Sequence, residues 1–469
     1  MKHYQDYPAS QIRARFAAAM SQMYRQEVPL YGELVMLVED INRDMLRQNP
    51  ALRDSMQRSG ALQRLNDERH GAIRLGSSVE LATIRRLFAV MGMYPVSYYD
   101  LSVAGIPVHS TAFRPLEINE LNHNPFRIFT SLLRLDLIAD ENLRAQARDI
   151  LQQRQIFTPG VLELIETFEQ QQGLNQAQAE SFIEEALETF RWHRRATVNF
   201  DTYQKFLEAH RLIADIVCFR GPHINHLTPR PLDIDTAQQQ MDAQNMQPKA
   251  IVEGPPKREN PILLRQTSFR ALDEEIQFEQ QNGTAANGFH SARFGEIEQR
   301  GMALTPKGRE LYDQLLSQVR QAQPDAANHP AAYVAQLEKT FRQFPDNLHE
   351  LRQRQLGYFR YLPGDKALEI NQNDDLDVLI KQGMILLSPI TYEDFLPVSA
   401  AGIFQSNLKQ GETGKFQRSP NQQQFEQDLG CKVIDEFAWY EKIQRNSLID
   451  TLSSSALGHE HQQRLLAQL

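Results

Sequence analysis

Three short stretches of this chain carry side chains able to do chemistry together. They are Arg69-His70-Gly71-Ala72-Ile73-Arg74, Pro222-His223-Ile224-Asn225-His226-Leu227-Thr228-Pro229-Arg230, and Arg293-Phe294-Gly295-Glu296-Ile297-Glu298-Gln299-Arg300-Gly301. Two histidines and one carboxylate from distant segments are the minimum ligand set for a mononuclear iron(II) centre with open coordination positions. Each stretch also carries arginine, whose guanidinium suits an acidic substrate. If the three meet in space, the expected chemistry is that of an oxygen-using enzyme acting on a small carboxylic acid.

The chain holds thirteen histidines, so company decides which of them matter. His70 and Arg74 are four apart, which puts them on one face of a helical turn or of a strand. His70 would bind metal while Arg74 clamps a carboxylate; a hydrogen-bonded turn histidine beside a surface arginine is the plainer alternative. His223 and His226 lie between Pro222 and Pro229, with Gly221 ahead of them, so a regular helix is disfavoured. On an extended segment their odd spacing points them in opposite directions. Only one is then a ligand. His226 is preferred, because Asn225, Thr228 and Arg230 offer polar support around it; His223 and Asn225 become supporting groups. Glu296 and Glu298 share one face of a strand-like run, where a buried carboxylate is costly unless it meets a cation or a proton. Glu296 is the preferred third ligand, with Glu298 pairing to Arg293, Arg300 or Lys307. The same three ligand types also serve catalytic zinc. A zinc hydrolase or lyase, and a non-catalytic dicarboxylate binder, therefore stay open at this point. Three further segments could line the pocket: 265–269, 108–114 and 392–404.

Something must hold these residues. Apolar periodicity predicts a helix starting at Ser10, with Ile12, Phe16, Met20 and Tyr24 on one face, and another from Tyr31 to Gln48, ending before Pro50. Ser77 and Ser78 predict a helix start ahead of Leu81, Ile84, Leu87 and Phe88. Residues 93–101 and 108–114 read as β-prone. Residues 116–215 read as mostly helical, with clear 3.6-residue periodicity over 141–155 and 175–192. Strands are expected at 213–219, 249–254, 262–269 and 292–299. Residues 281–288 read as a polar loop, 321–330 as a connector and 406–424 as an exposed, mobile stretch. Helices followed by paired strands indicate an α+β unit rather than a doubly wound sheet.

Composition narrows the class. The 469 residues are 41% hydrophobic and 23% charged, enough for a large core. A net charge of −9 with scattered arginines argues against a nucleic-acid partner. Two cysteines, Cys218 and Cys431, exclude a disulfide framework and a cysteine-rich metal site. No apolar signal core opens the sequence and no stretch nears the roughly 18–20 apolar residues of a membrane span. A soluble, cytoplasmic protein with no membrane association is expected. Neither a GxGxxG, a P-loop nor a nucleophile elbow is present, and no feature encodes an oligomeric state.

The strings Glu68 to Arg74, Met93 to Leu101, His223 to Arg230, Arg293 to Gly301 and Thr391 to Phe404 together resemble the 2-oxoadipate dioxygenase/decarboxylase family, also called hydroxyglutarate synthases. The resemblance runs from about residue 10 to about residue 440. It implies a fold related to vicinal-oxygen-chelate enzymes: a curved central β-sheet around the metal, dressed with helices. It implies iron(II) held by His70, His226 and Glu296, with a shift of two selecting Glu298 instead. It places the substrate contacts on His70, Arg74 and the backbone of Val398. The implied reaction turns 2-oxoadipate and O2 into D-2-hydroxyglutarate and CO2, a step of lysine catabolism similar to hydroxymandelate synthase chemistry. The expected layout is one catalytic unit over 1–469: N-terminal helices (1–65), a first metal-ligand and strand segment (66–115), a helical insertion (116–212), a central sheet with the metal site (213–405), and a variable loop with C-terminal helices (406–469).

Overall fold

All seven residues of β1 (Arg69–Leu75) are buried, so this strand is covered on both faces. It lies inside a five-stranded sheet ordered β2-β3-β4-β1-β5, with β2 Tyr94–Asp100, β3 Val108–Arg114, β4 Arg127–Leu133 and β5 Leu227–Pro229. β1 runs parallel to β4 and antiparallel to β5, while β2, β3 and β4 form antiparallel neighbours. This computed structural model describes residues 7–269, 271–279, 285–326, 328–364, 374–396, 421–453 and 459–469.

Three ribbons complete the β-structure of the described residues. β6 (Leu264–Ser268) pairs with β9 (Glu296–Arg300), β7 (Asp273–Glu279) with β8 (Ala285–Ser291), and β10 (Phe359–Pro363) with β11 (Ile385–Pro389), all antiparallel. β9 packs beside β5 and so brings the 264–300 ribbon against the main sheet. The architecture is α+β, as the order of elements predicts.

The N-terminal helices form where the apolar spacing puts them, at Ala9–Glu27 and Pro29–Gln48. Phe16 packs edge-on against Phe126 and Phe190, with ring centres 6.0 and 5.5 Å apart, which seats the first helix on the sheet. Ser77 caps the helix Ser78–Val90 by accepting from the Glu80 amide. Asn175 and Gln178 form a reciprocal capping box on Gln176–Glu188. A second apolar cluster, with Tyr312, Leu315, Phe341, Phe359 and Leu448, joins the helices Pro306–Ala322, Pro330–Phe341 and Glu436–Ser453 to β10.

Five local expectations are corrected. Residues 213–219, read as a strand, lie largely in a helix, Arg211–Val217, whose N-cap is His210 accepting from the Leu212 amide. A short, continuously apolar run fits a buried helix as well as a buried strand. The expected strand at 249–254 makes only isolated bridges, among them Glu253 to Gln266. Residues 285–288 belong to β8 rather than to a loop. The stretch 116–212 also contains β4, the strand beside β1, so it is not purely a helical insertion. Of the expected mobile stretch, Asn421 onward is the helix Asn421–Leu429, and residues 406–420 lie outside the described residues. Cys218 and Cys431 are both free thiols, and Cys218 is buried. No described helix is long and apolar enough to cross a membrane.

Candidate metal centre

β1 presents His70 from a strand that pairs with β4 through Arg127 and with β5 through Thr228. Its neighbour Gly71 has a steric purpose. A Cβ there would stand 2.6 Å from Ile224 Cδ1 and 2.7 Å from the His226 carbonyl oxygen. Only a bare backbone lets the His226 segment lie this close to β1. The Asn225 amide then bonds the Ala72 carbonyl at 3.0 Å, and the Phe294 amide bonds the Asn225 carbonyl at 3.2 Å. The three ligand-bearing segments are thus stitched to one another through their backbones. β9 begins at Glu296, opposite Ser268.

The side chains converge. One donor atom each from His70, His226 and Glu296 lies within 4.8 Å of the others. Glu296 Oε1 is 3.3 Å from His70 Nε2 and 3.8 Å from His226 Nε2. Thr228 donates its hydroxyl to the same oxygen at 3.0 Å. All three candidate ligands are buried. The rings of Phe395 against His70 (5.1 Å) and Phe294 against His226 (4.7 Å) form apolar walls.

The electrostatics of this group suit a cation. Burial drives the His70 imidazole well below its ordinary pKa, with Arg300 adding to the effect, and burial holds His226 down to about 3. Both rings are therefore neutral lone-pair donors. Burial and the adjacent Glu298 push the Glu296 carboxyl well above its usual range. Its Oε2 and the His226 Nδ1 have no hydrogen-bond partner among the described residues. A dry carboxylate beside two neutral imidazoles is expensive alone and well matched to a divalent metal ion.

Glu298, the other carboxylate of β9, lies on the far side of His70. Its Oε1 is 3.6 Å from His70 Nδ1 while Nε2 faces Glu296. Arg300 Nη2 stands 2.6 Å from Glu298 Oε1, and the Gln266 amide donates to Oε2. Spacing puts both glutamates on one face of β9; among the described residues it is Glu296, not Glu298, that lies in the cluster with His70 and His226. Behind them sits Glu68, fully buried among Arg64, Arg127, Arg230 and Arg300. Burial alone would raise its pKa, but Arg230 and the other guanidiniums hold it well below the carboxylate range.

Arg74 shares the face of His70 on β1, and its Nη1 lies 2.6 Å from Asp215 Oδ2. His223 turns away from His226 and places Nε2 3.3 Å from Asp215 Oδ1. The polar support expected around His226 goes elsewhere: Thr228 to Glu296, Arg230 to Glu68, and Asn225 to backbone contacts through its amide and carbonyl. Arg265, from the 265–269 segment, pairs with Asp235 instead. His109, from the β3 segment, meets Tyr98. Val398 lies outside the described residues.

A sequence profile of the 2-oxoadipate dioxygenase/decarboxylase family matches residues 16–407. The chain belongs to that family. It is 55% identical to the 2-oxoadipate dioxygenase/decarboxylase of Escherichia coli over 443 residues, 94% of this chain and 97% of the relative. The Pseudomonas putida protein of the same name is 54% identical, covering 93% of this chain and 95% of its own. Among solved structures, the hydroxyglutarate synthase of Pseudomonas putida in complex with 2-oxoadipate matches with a TM-score of 0.89 and 51% identity, over 96% of this chain and 99% of that one.

Within this family member, Asp215 and His290 complete the site's polar frame without a role read from the sequence, Gln266 comes from a segment expected to line the pocket, and Thr228, expected to support His226, serves Glu296. One signal was available. Asp215 interrupts the apolar run Leu212-Ile213-Ala214-Asp215-Ile216-Val217, and a lone carboxylate inside such a run needs a buried partner.

Proposed function

We propose that this chain is an iron(II)-dependent dioxygenase/decarboxylase that converts 2-oxoadipate and O2 to D-2-hydroxyglutarate and CO2, within lysine catabolism. The observation that carries the reading is the meeting of His70, His226 and Glu296 within 4.8 Å. These three would hold the metal on one side and leave the opposite side open. Held there, iron(II) would supply the chemistry of O2 activation coupled to oxidation of a 2-oxo acid. The equation balances: both atoms of O2 enter the five-carbon product, and the lost carboxyl leaves as CO2.

The chain's own groups account for the rest. Glu298, braced by Arg300 and Gln266, keeps the His70 ring turned so that Nε2 faces the centre. Phe294 and Phe395 exclude bulk water beside the imidazoles. Arg74, on the same face as His70, would neutralise a substrate carboxylate, worth roughly 1.5–3 kcal/mol as a charge-assisted hydrogen bond. Holding the substrate chain in one direction also decides which hydrogen is replaced, and hence the handedness of the product. Val398 remains an assignment from the family resemblance.

Metal substitution tests the reading. Metal-free protein reloaded with iron(II) should consume O2 when 2-oxoadipate is present, and reloaded with zinc(II) should not turn over. Oxygen-independent turnover with zinc would replace the proposal by a hydrolase or lyase. Ligand binding without turnover under either metal would leave a dicarboxylate binder.

A further inference from the structure

Asp215 is a buried anion on which three separate elements converge. From β1, Arg74 Nη1 reaches its Oδ2 at 2.6 Å. From β8, His290 Nε2 reaches its Oδ1 at 2.9 Å, and from the segment before β5, His223 Nε2 stands 3.3 Å from the same oxygen. The Tyr203 hydroxyl is 3.0 Å from His290 Nδ1. A carboxylate accepts, so the His290 Nε2–H donates to Asp215, while the Tyr203 hydroxyl lies within hydrogen-bond reach of both His290 Nδ1 and, at 3.3 Å, the Phe289 carbonyl. The result is a connected chain, Tyr203 to His290 to Asp215, ending on the guanidinium of Arg74. Arg74, Asp215, His223 and His290 are all buried.

This cluster is not a second metal centre. A guanidinium already takes the cation's place beside the carboxylate. Nor is it surface charge pairing, since every member is buried and each arrives from a different element. Burial favours the neutral acid, yet His223 and Arg74 hold Asp215 well below the ordinary carboxylate range. Trp192 closes the cluster, with its ring centre 4.5 Å from that of His223 and the Arg293 guanidinium 4.7 Å from it on another side. An arginine side chain left to itself samples many rotamers. Here the anion fixes where the guanidinium lies, two strand repeats along β1 from His70.

We propose that Asp215, held by His290 and Tyr203, is a positioning residue that aims Arg74 and thereby sets the preference for a dicarboxylic over a monocarboxylic 2-oxo acid. The inference rests on the reading of Arg74 as the group that meets a substrate carboxylate. Asp215 touches no substrate; it acts through Arg74 alone.

The experiment compares kcat/KM for 2-oxoadipate and for 2-oxohexanoate, which has the same six carbons and lacks the distal carboxylate. It uses the iron-loaded protein, Asp215→Asn, Tyr203→Phe, Arg74→Ala and the double variant Arg74→Ala/Asp215→Asn, with metal content checked for each. Asp215→Asn should raise KM for 2-oxoadipate about tenfold, with a smaller change in kcat, and should cut the preference between the two acids by a similar factor. Tyr203→Phe, which keeps the ring packing, should shift the preference in the same direction by about threefold. In the Arg74→Ala background, Asp215→Asn should change the preference no further, because both act through one group. If Arg74→Ala keeps the wild-type preference, the reading of Arg74 falls, and this inference with it. If Arg74→Ala loses the preference while Asp215→Asn and Tyr203→Phe retain it, Arg74 stands and the role of Asp215 is overturned. A further loss of preference in the double variant, equal to that in Asp215→Asn alone, would likewise reduce Asp215 to a structural residue.

Discussion

Tyr24 donates its hydroxyl to the carbonyl of Asn225 at 2.9 Å, across 201 residues of sequence. The Phe294 carbonyl lies at the same distance from that hydroxyl. One phenol on the first helix therefore clips together the residue preceding His226 and the residue two before Glu296. Tyr24→Phe keeps the ring and removes the clip. It should weaken metal affinity roughly tenfold, as loss of a group supporting metal ligands typically does, and cost roughly 0.5–1.5 kcal/mol of stability through the lost buried hydrogen bonding. Metal titration and denaturant unfolding measure the two effects; unchanged affinity would show that the ligand segments need no such tie.

Gly71 gives a steric counterpart. Gly71→Ala would force either the Ile224 side chain or the His226 carbonyl away from β1, since the added Cβ would sit 2.6–2.7 Å from both. The Ile224 side chain can turn, but the His226 backbone can move only by shifting a ligand. The variant should fold and bind metal at least tenfold more weakly, a level typical of disturbed ligand support. Titration of the purified variant with cobalt(II), followed by its absorption bands, checks this directly.

Glu298 should behave as an orienting group and not as a ligand. Glu298→Ala removes the carboxylate beside His70 Nδ1 and leaves Arg300 with one partner fewer. Metal affinity should fall roughly 10–100-fold, while Glu296→Ala should abolish binding. Equal loss in the two variants would make Glu298 as essential to binding as Glu296, and the reverse order would exchange their roles.

Away from the metal centre, His109 provides a pH signature. Burial and the nearby Arg134 lower its imidazole from the ordinary 6.5 to about 4. The unfolded chain takes up a proton as pH falls below about 6.5, whereas the native ring refuses it until about 4. Over that window the unfolded state binds more protons, so acidification destabilises the fold. His109→Gln should make the fall of melting temperature between those two pH values shallower. A slope as steep as the wild type's would mean that the buried ring is protonated in the native state.

Much of this centre was legible because its chemistry lies in short, dense strings. His70 and Arg74 share a strand face by parity alone, and the two-residue spacing of Glu296 and Glu298 put both carboxylates on the inner side of β9. What spacing could not supply was partnership. β4 pairs with β1 from a region whose surroundings read as helical, and its neighbours are set by long-range packing. Residues 213–219 read as a strand because a short apolar run has no decisive period, whereas Arg211–Val217 form a helix. The strand reading conceals the partnership of Asp215 with His290, whose own strand opens within a polar stretch. The support for His226 fails for another reason: Thr228, in β5, turns to Glu296, and Arg230, just beyond β5, reaches Glu68.

The most direct measurement is the stoichiometry of turnover by protein loaded with iron(II) under nitrogen and then given 2-oxoadipate and O2. The account predicts one O2 consumed and one CO2 released for each 2-hydroxyglutarate formed, with the D enantiomer alone as product, and no O2 uptake by His70→Ala or Glu296→Ala. CO2 release without oxygen consumption, or no reaction from protein whose iron is bound at full occupancy, would contradict it.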